Sequence, residues 1–395
     1  MQNKQQLPFL TLLLMISFAS VNAVLFTPAL PNIANFFLIS VDQTQQTITW
    51  FLIAYAFGQL IYGPIANRFG RKKALYFGIS LQIISSLICA FSGIIHQYYF
   101  LIIGRFLLAL GSGVGLKMAF TLVNECYEAK IASQKTSYLL LAFAITPALG
   151  VALGGFLNSY FGWQSCFYAG AIYGLILFFL VMQLPETQNL LKYDALKINI
   201  LVSGYLKQFK NMHLISGGLM MGCATSFIYI FATLAPFIVI NLLGFKSTEY
   251  GIANLLPAVG LIFGSLSSAQ LTKELSLLKC ILSGMIISLI GVFIMLSTVL
   301  MHFSAINSIF LPMMIIYFGL SFIIANASTV AMTYSSDKAN ASAVMNFINM
   351  GFATIAVLSM GFFHVSVILL PSVYIILSLI MMGIYKLTLS SSHAS

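Results

Sequence analysis

Charge is what this sequence has least of. Asp, Glu, Lys and Arg make up 7% of its 395 residues, and only eight of them are acidic. A water-soluble domain carries roughly 25% charged residues. The outer surface of this chain is therefore expected to face lipid. Cysteine is sparse as well. The five thiols, Cys89, Cys126, Cys166, Cys223 and Cys280, are scattered without a close pair or a metal-type spacing. That pattern excludes a disulfide framework or a zinc site and leaves them as small apolar residues. The five histidines are dispersed, with no H-x4-D or D-D-x-x-D pattern, which argues against a polytopic membrane enzyme. No G-x4-G-K-[ST] loop occurs, so the chain lacks the means to bind ATP in that fashion. Neither a metal nor a bound cofactor is expected; a proton gradient is the energy source left open.

What is present is apolar length. Hydrophobic residues make up 60% of the chain, and a spanning helix needs about 20 of them in succession. Twelve such runs are predicted, near 8–30, 48–66, 74–94, 98–121, 134–157, 164–184, 212–236, 249–271, 277–300, 306–332, 342–364 and 367–387. The fold class expected is an all-α integral membrane protein of twelve transmembrane helices in two six-helix pseudo-repeats. The least apolar interval, 185–211, separates a bundle over 1–184 from another over 212–395. The halves echo each other at an offset of 201 residues, which carries Thr47 to Thr248 and Gly63 to Gly264. Two related six-helix halves around a central site are the layout of an alternating-access transporter.

The net charge of +10 would suggest nucleic acid in a soluble protein. Here it falls in short loops on one side of the predicted membrane, as the positive-inside rule requires. Lys246 alone lies on the other side, while Arg105 and Lys117 fall within the fourth span. Both termini are then cytoplasmic. The N-terminus imitates a secretory signal, with Lys4 before an apolar run and a small-x-small site at Val21-Asn22-Ala23. The run continues through Leu30, however, so it is expected to be retained as the first span.

The densest charge, Arg68, Arg71, Lys72 and Lys73, sits in the loop GPIANRFGRKK at 63–73. With RFLLALG at 105–111, and PALGVALGG at 147–155 followed by Phe161-Gly162-Trp163, it makes the chain resemble the major facilitator superfamily. Within that superfamily it is similar to the twelve-helix drug:proton antiporters, the Bcr/CflA-like drug-resistance transporters. The resemblance lies in residues 58–163; the second half matches only in its pattern of spans.

The resemblance implies roles for particular residues. Gly63, Asn67, Arg68, Gly70 and Arg71 would form a conformational latch, with Glu125 as a possible acid for Arg71. Gly63 would permit close approach of a neighbouring helix. Arg105 would take part in proton coupling, and since a charge at its depth costs several kcal/mol unpaired, it should face a cavity or a polar partner. Lys117 reads as a snorkelling lysine or a cavity residue. Pro147, Gly150, Gly154 and Gly155 would give the fifth helix a kinked, smooth face.

Departures from the family pattern are equally plain. Asn67 stands where an acid is usual, Leu108 where a glutamine is usual, and Val24 where members commonly carry an acid four residues before Pro28. No Asp or Glu lies deep in any predicted span. Asn22, Phe26, Lys117, Tyr229, Asn326, Asn346 and Asn349 are the candidate lining of a substrate cavity, although helix–helix hydrogen bonding explains each amide as well. The expected function is secondary transport in the inner membrane by a monomer, exporting a small amphiphilic compound such as a drug or a siderophore. A facilitator or importer of a neutral or anionic metabolite is the alternative.

Overall fold

The structure is a computed structural model that describes residues 7–188, 191, 193–333, 335 and 337–393. Lys4 lies outside the described residues. Among the described residues, twelve helices are long and apolar enough to cross a membrane. In chain order they are α1 Phe9–Phe37, α2 Val41–Phe69, α3 Arg71–Ile94, α4 Tyr98–Cys126, α5 Gln134–Phe161 and α6 Gln164–Met182. The second six are α7 Met212–Leu242, α8 Ser247–Leu271, α9 Leu277–Leu300, α10 Ile306–Thr333, α11 Lys338–Met360 and α12 Leu369–Lys386. No strand occurs among the described residues. Only helices let a chain satisfy its own backbone in hydrocarbon without a closed barrel.

Several boundaries differ from the sequence expectation. The second helix starts at Val41 rather than near 48, because the polar run Asp42 to Thr47 is helical too, with Thr44, Gln45 and Thr47 buried. An apolar window cannot see a polar turn that packs inside protein. The linker is not irregular throughout either, since Ile198–Gln208 forms a helix.

The chain divides into two compact units. One contains the chain up to Phe26 with Gln46–Ser203, and the other contains Thr27–Gln45 with the chain from Gly204 onward.

The first unit is built around the first piece of α1, which ends at a break in the helix. The α-helix Phe9–Val24 ends at Leu25, a short 3-10 turn covers Thr27–Ala29, and helix resumes over Leu30–Phe37. Pro28 lacks an N–H to continue the ladder and Pro31 is accommodated in the first turn of the new helix. Leu12, Met15, Ile16 and Phe18 of α1 are fully buried, so this segment is part of the core. Two glycines let neighbours reach it. A Cβ on Gly115 of α4 would land on the Met15 carbonyl oxygen, and one on Gly154 of α5 would land on that of Leu25.

The sequence repeat is visible in the packing of each unit. In the first, Gly78 of α3 and Gly111 of α4 lie against each other's backbone; in the second, Gly284 of α9 and Gly319 of α10 do the same. Gly63 of α2 faces Lys117 of α4, and Gly264 of α8 faces Phe318 of α10. The offset that carries Gly63 to Gly264 also carries Lys117 to Phe318. At this last contact the equivalent helix pairs meet at equivalent residues. In the first unit the contact is with an amine, and in the second it is with the Phe318 main chain.

The α1–α5 contact gives a paired prediction. Gly154→Ala should lower stability by about 1–3 kcal/mol, the usual cost of overpacking. Gly150→Ala meets only Val24 and Val21 at 3.5 Å or more, so it should be neutral or gain a few tenths from helix propensity. Thermal midpoints of the two purified variants in detergent check this, and equal midpoints would contradict the assigned contact.

Candidate functional site

Arg105 lies about two turns into α4 and is only 1% exposed. Its Nη1 donates to the Asn22 carbonyl at 2.8 Å, Nη2 to that of Ala23 at 3.3 Å, and Nε to that of Thr47 at 3.2 Å. Asn22 and Ala23 are in the last turn of the first helical piece of α1, where carbonyls lack intrahelical partners. The break thus creates acceptors, and the partial negative charge of a helix C-terminus favours a cation there. The guanidinium also lies 4.0 Å from the ring centroid of Phe26 and 4.3 Å from that of Phe51, a desolvated cation–π pair. Arg105 therefore neither snorkels nor reaches into open space. Three helices share it as a fastening.

The predicted latch residues assemble at the junction of α2 and α3. Arg71 pairs with Glu125 of α4, Nη2 to Oε1 at 2.7 Å, and its Nη1 donates to Asn67 Oδ1 at 2.8 Å. Asn67 thus orients the arginine one helical turn away. Gly70 has φ +101°, and a Cβ there would sit 2.6 Å from Glu186. Glu186 is a residue that sequence reasoning left in the linker. Its carboxylate accepts the backbone N–H groups of Arg71 at 2.9 Å and Lys72 at 3.0 Å, capping the N-terminus of α3 with a negative charge. Thr187 donates its hydroxyl to Glu125. The signal for both was Pro185-Glu186-Thr187 directly after the sixth span. Arg68 lies over the Phe69 ring at 5.7 Å.

Lys117 does not snorkel to a headgroup. Its ammonium donates to the Gln59 carbonyl of α2 at 3.2 Å. A Cβ on Gly63 would come within 2.8 Å of that nitrogen, so Gly63 clears space for a side chain and not for a helix backbone.

The remaining cavity candidates are dispersed. Asn22 is buried in a polar cluster: its Nδ2 donates to Phe18 O at 2.7 Å, and its Oδ1 accepts from Gln82 Nε2 at 2.8 Å. Gln82 Nε2 also lies within hydrogen-bond distance of Ser86 and the Gly170 carbonyl. This joins α1, α3 and α6, and nothing in the sequence marked Gln82. Phe26 is spent on Arg105 and on Phe167, 5.7 Å away. In the second unit, Asn326 ties α10 to α8 through Ser268 at 3.0 Å. Asn346 is half-buried and bonds the Ser342 carbonyl of its own helix, whereas the buried Asn349 Oδ1 has no hydrogen-bond partner among the described residues. Tyr229 is half-buried on α7. Among the cavity candidates, Asn22, Phe26 and Asn326 serve the cores of their units. Pro147 lies inside the α5 helix and Gly150, Gly154 and Gly155 are buried.

Twelve spans, a glycine-packed internal repeat and charges held at the span ends define a polytopic membrane carrier. A sequence profile of the Major Facilitator Superfamily matches residues 11–360, and the chain belongs to that superfamily of transporters. It is 26% identical over 256 residues to the bicyclomycin resistance protein homolog of Haemophilus influenzae, a match that spans 63% of this chain and 62% of that protein. It is 25% identical to multidrug resistance protein D of Escherichia coli, covering 70% of each, and 26% identical to the multidrug transporter MdfA of Yersinia pestis, covering 84% and 80%. The inward-open structure of the xylose transporter XylE from E. coli superposes with a TM-score of 0.74 at 14% identity over 95% of both chains, a likeness of fold.

Two variants test these assignments. Arg105→Met keeps an apolar stem but no donors and should lower stability by about 2–4 kcal/mol, since hydrogen bonds to a charged group contribute about 1.5–3 kcal/mol each. Glu186→Ala removes a helix cap and should cost about 0.5–2 kcal/mol. Thermal midpoints and membrane yield read both. Wild-type stability in Arg105→Met would remove the guanidinium from its structural role.

Proposed function

We propose that the chain is a secondary active exporter of small amphiphilic compounds, such as drugs or a secreted siderophore-like metabolite, in the inner membrane. The observation that carries this reading is the seat of α5. A proline-bearing helix meets the break of α1 through Gly154, so two elements with interrupted backbone ladders bear on each other. Such a contact suits a segment that changes shape between states. It coincides with the stretch that resembles the antiporter motif. The relatives named for bicyclomycin and multidrug resistance support the outward direction.

The charge distribution supports an orientation with both termini cytoplasmic, because it places Arg68, Arg71, Lys72 and Lys73 on the positive side of the membrane. Transport by a monomer is part of the proposal. Proton antiport is proposed as the driving force, with a specific difficulty. Every acid in the sequence lies in a loop or within one turn of a span end, and Val24 occupies the position where an acid is usual. That observation favours a second reading, a facilitator on the same fold.

Reconstitution into proteoliposomes separates the two. An imposed proton gradient should drive uphill chloramphenicol flux if the chain is an antiporter. Flux that only dissipates the compound's own gradient, with no proton movement, would establish the facilitator.

A further inference from the structure

Arg105 and Lys117 are the two cations that lie more than one turn inside a described span. Their surroundings differ in kind. Arg105 is fully buried with three carbonyl acceptors and two aromatic faces. Lys117 is half-buried, and its ammonium makes one described hydrogen bond, to the Gln59 carbonyl. An ammonium carries three donors and no acceptor, so donor capacity is left over.

A second observation adds to this. Gln59, whose carbonyl holds the lysine, is only 4% exposed, and its side-chain Nε2 has no hydrogen-bond partner among the described residues. An amide nitrogen buried without an acceptor costs on the order of 1–3 kcal/mol. Lys117, with donors to spare, and Gln59, with a buried amide N–H that lacks an acceptor, are thus joined through the Gln59 main-chain carbonyl.

We propose that Lys117 and Gln59 form a subsite for an anionic group of the transported molecule, a carboxylate or a phenolate. The anion accepts one N–H from the ammonium and one from the amide, and its charge offsets that of the lysine. Gly63, which has no Cβ, lets the ammonium sit against it. The chain then prefers organic anions to organic cations, and no acid deep in the spans is needed for recognition. This rests on the reading of the chain as a small-molecule transporter.

The test uses the full-length protein, purified in detergent, with three probes: nalidixate, which bears a carboxylate, neutral chloramphenicol, and the permanent cation ethidium. Nalidixate should raise the thermal midpoint of the wild type more than ethidium does. Its affinity should fall by about tenfold or more in Lys117→Gln, the fold-change that corresponds to losing one charge-assisted hydrogen bond. Any response to chloramphenicol should be the same in both proteins. Gly63→Ala, which intrudes on the ammonium, reads the same effect if Lys117→Gln fails to fold. Unchanged nalidixate affinity in the variants, absence of nalidixate binding to the wild type, or a preference for ethidium would overturn the subsite. Flux of none of the three probes in proteoliposomes, with nalidixate binding intact, would instead overturn the transporter reading and leave the subsite standing.

Discussion

In hydrocarbon, a broken helix must find hydrogen-bond partners for the carbonyls it frees, because no water is there to supply them. The first unit depends on how it meets that requirement. Its first helix stops at Val24, and Arg105 reaches across from α4 to take the carbonyls of Asn22 and Ala23. The same guanidinium takes Thr47 O from α2 and lies against the rings of Phe26 and Phe51. Gly154 then brings α5 against the carbonyl of Leu25, two residues beyond Ala23. A charge that would be expensive in the membrane and a backbone break that would be equally expensive satisfy each other. Neither is stable there without the other.

Placing Arg105 in this fastening changes how the other charges are read. An arginine held by three carbonyls has little left for a ligand, whereas Lys117 has one such bond and a neighbour with an unused donor. Depth in the membrane alone does not separate the two residues, since both lie well inside α4. Exposure and hydrogen-bond saturation do. The contrast also recasts the lack of deep acids: a carrier whose spare internal charge is an amine is built to meet a negative group.

The junction of α2 and α3 follows the same logic at the edge of the membrane. The N–H groups that open α3 are capped by Glu186, from beyond the end of α6. Asn67 and Glu125 hold Arg71 from two helices, and Thr187 donates to Glu125. Four chain segments are thus tied by charge-assisted hydrogen bonds around Gly70, whose positive φ and proximity to Glu186 leave no room for a side chain. The neutral Asn67 acts inside this cluster as a support for Arg71.

By itself, the sequence determined the all-helical membrane fold, the twelve spans and the repeat offset. Composition and period are local properties, and a bilayer admits few ways of satisfying them. The motifs around Gly63, Arg105 and Pro147 were legible for the same reason, being short and contiguous. Which of those residues are structural and which are available was decided only by tertiary packing. Arg105, Asn22 and Phe26 were read as functional or cavity residues, yet each is used inside the first unit. Gln82 and Gln59 carried no signal of their own, because their partners lie far away along the chain. Hydrogen-bond saturation is a property of the space between helices, and no single helix encodes it.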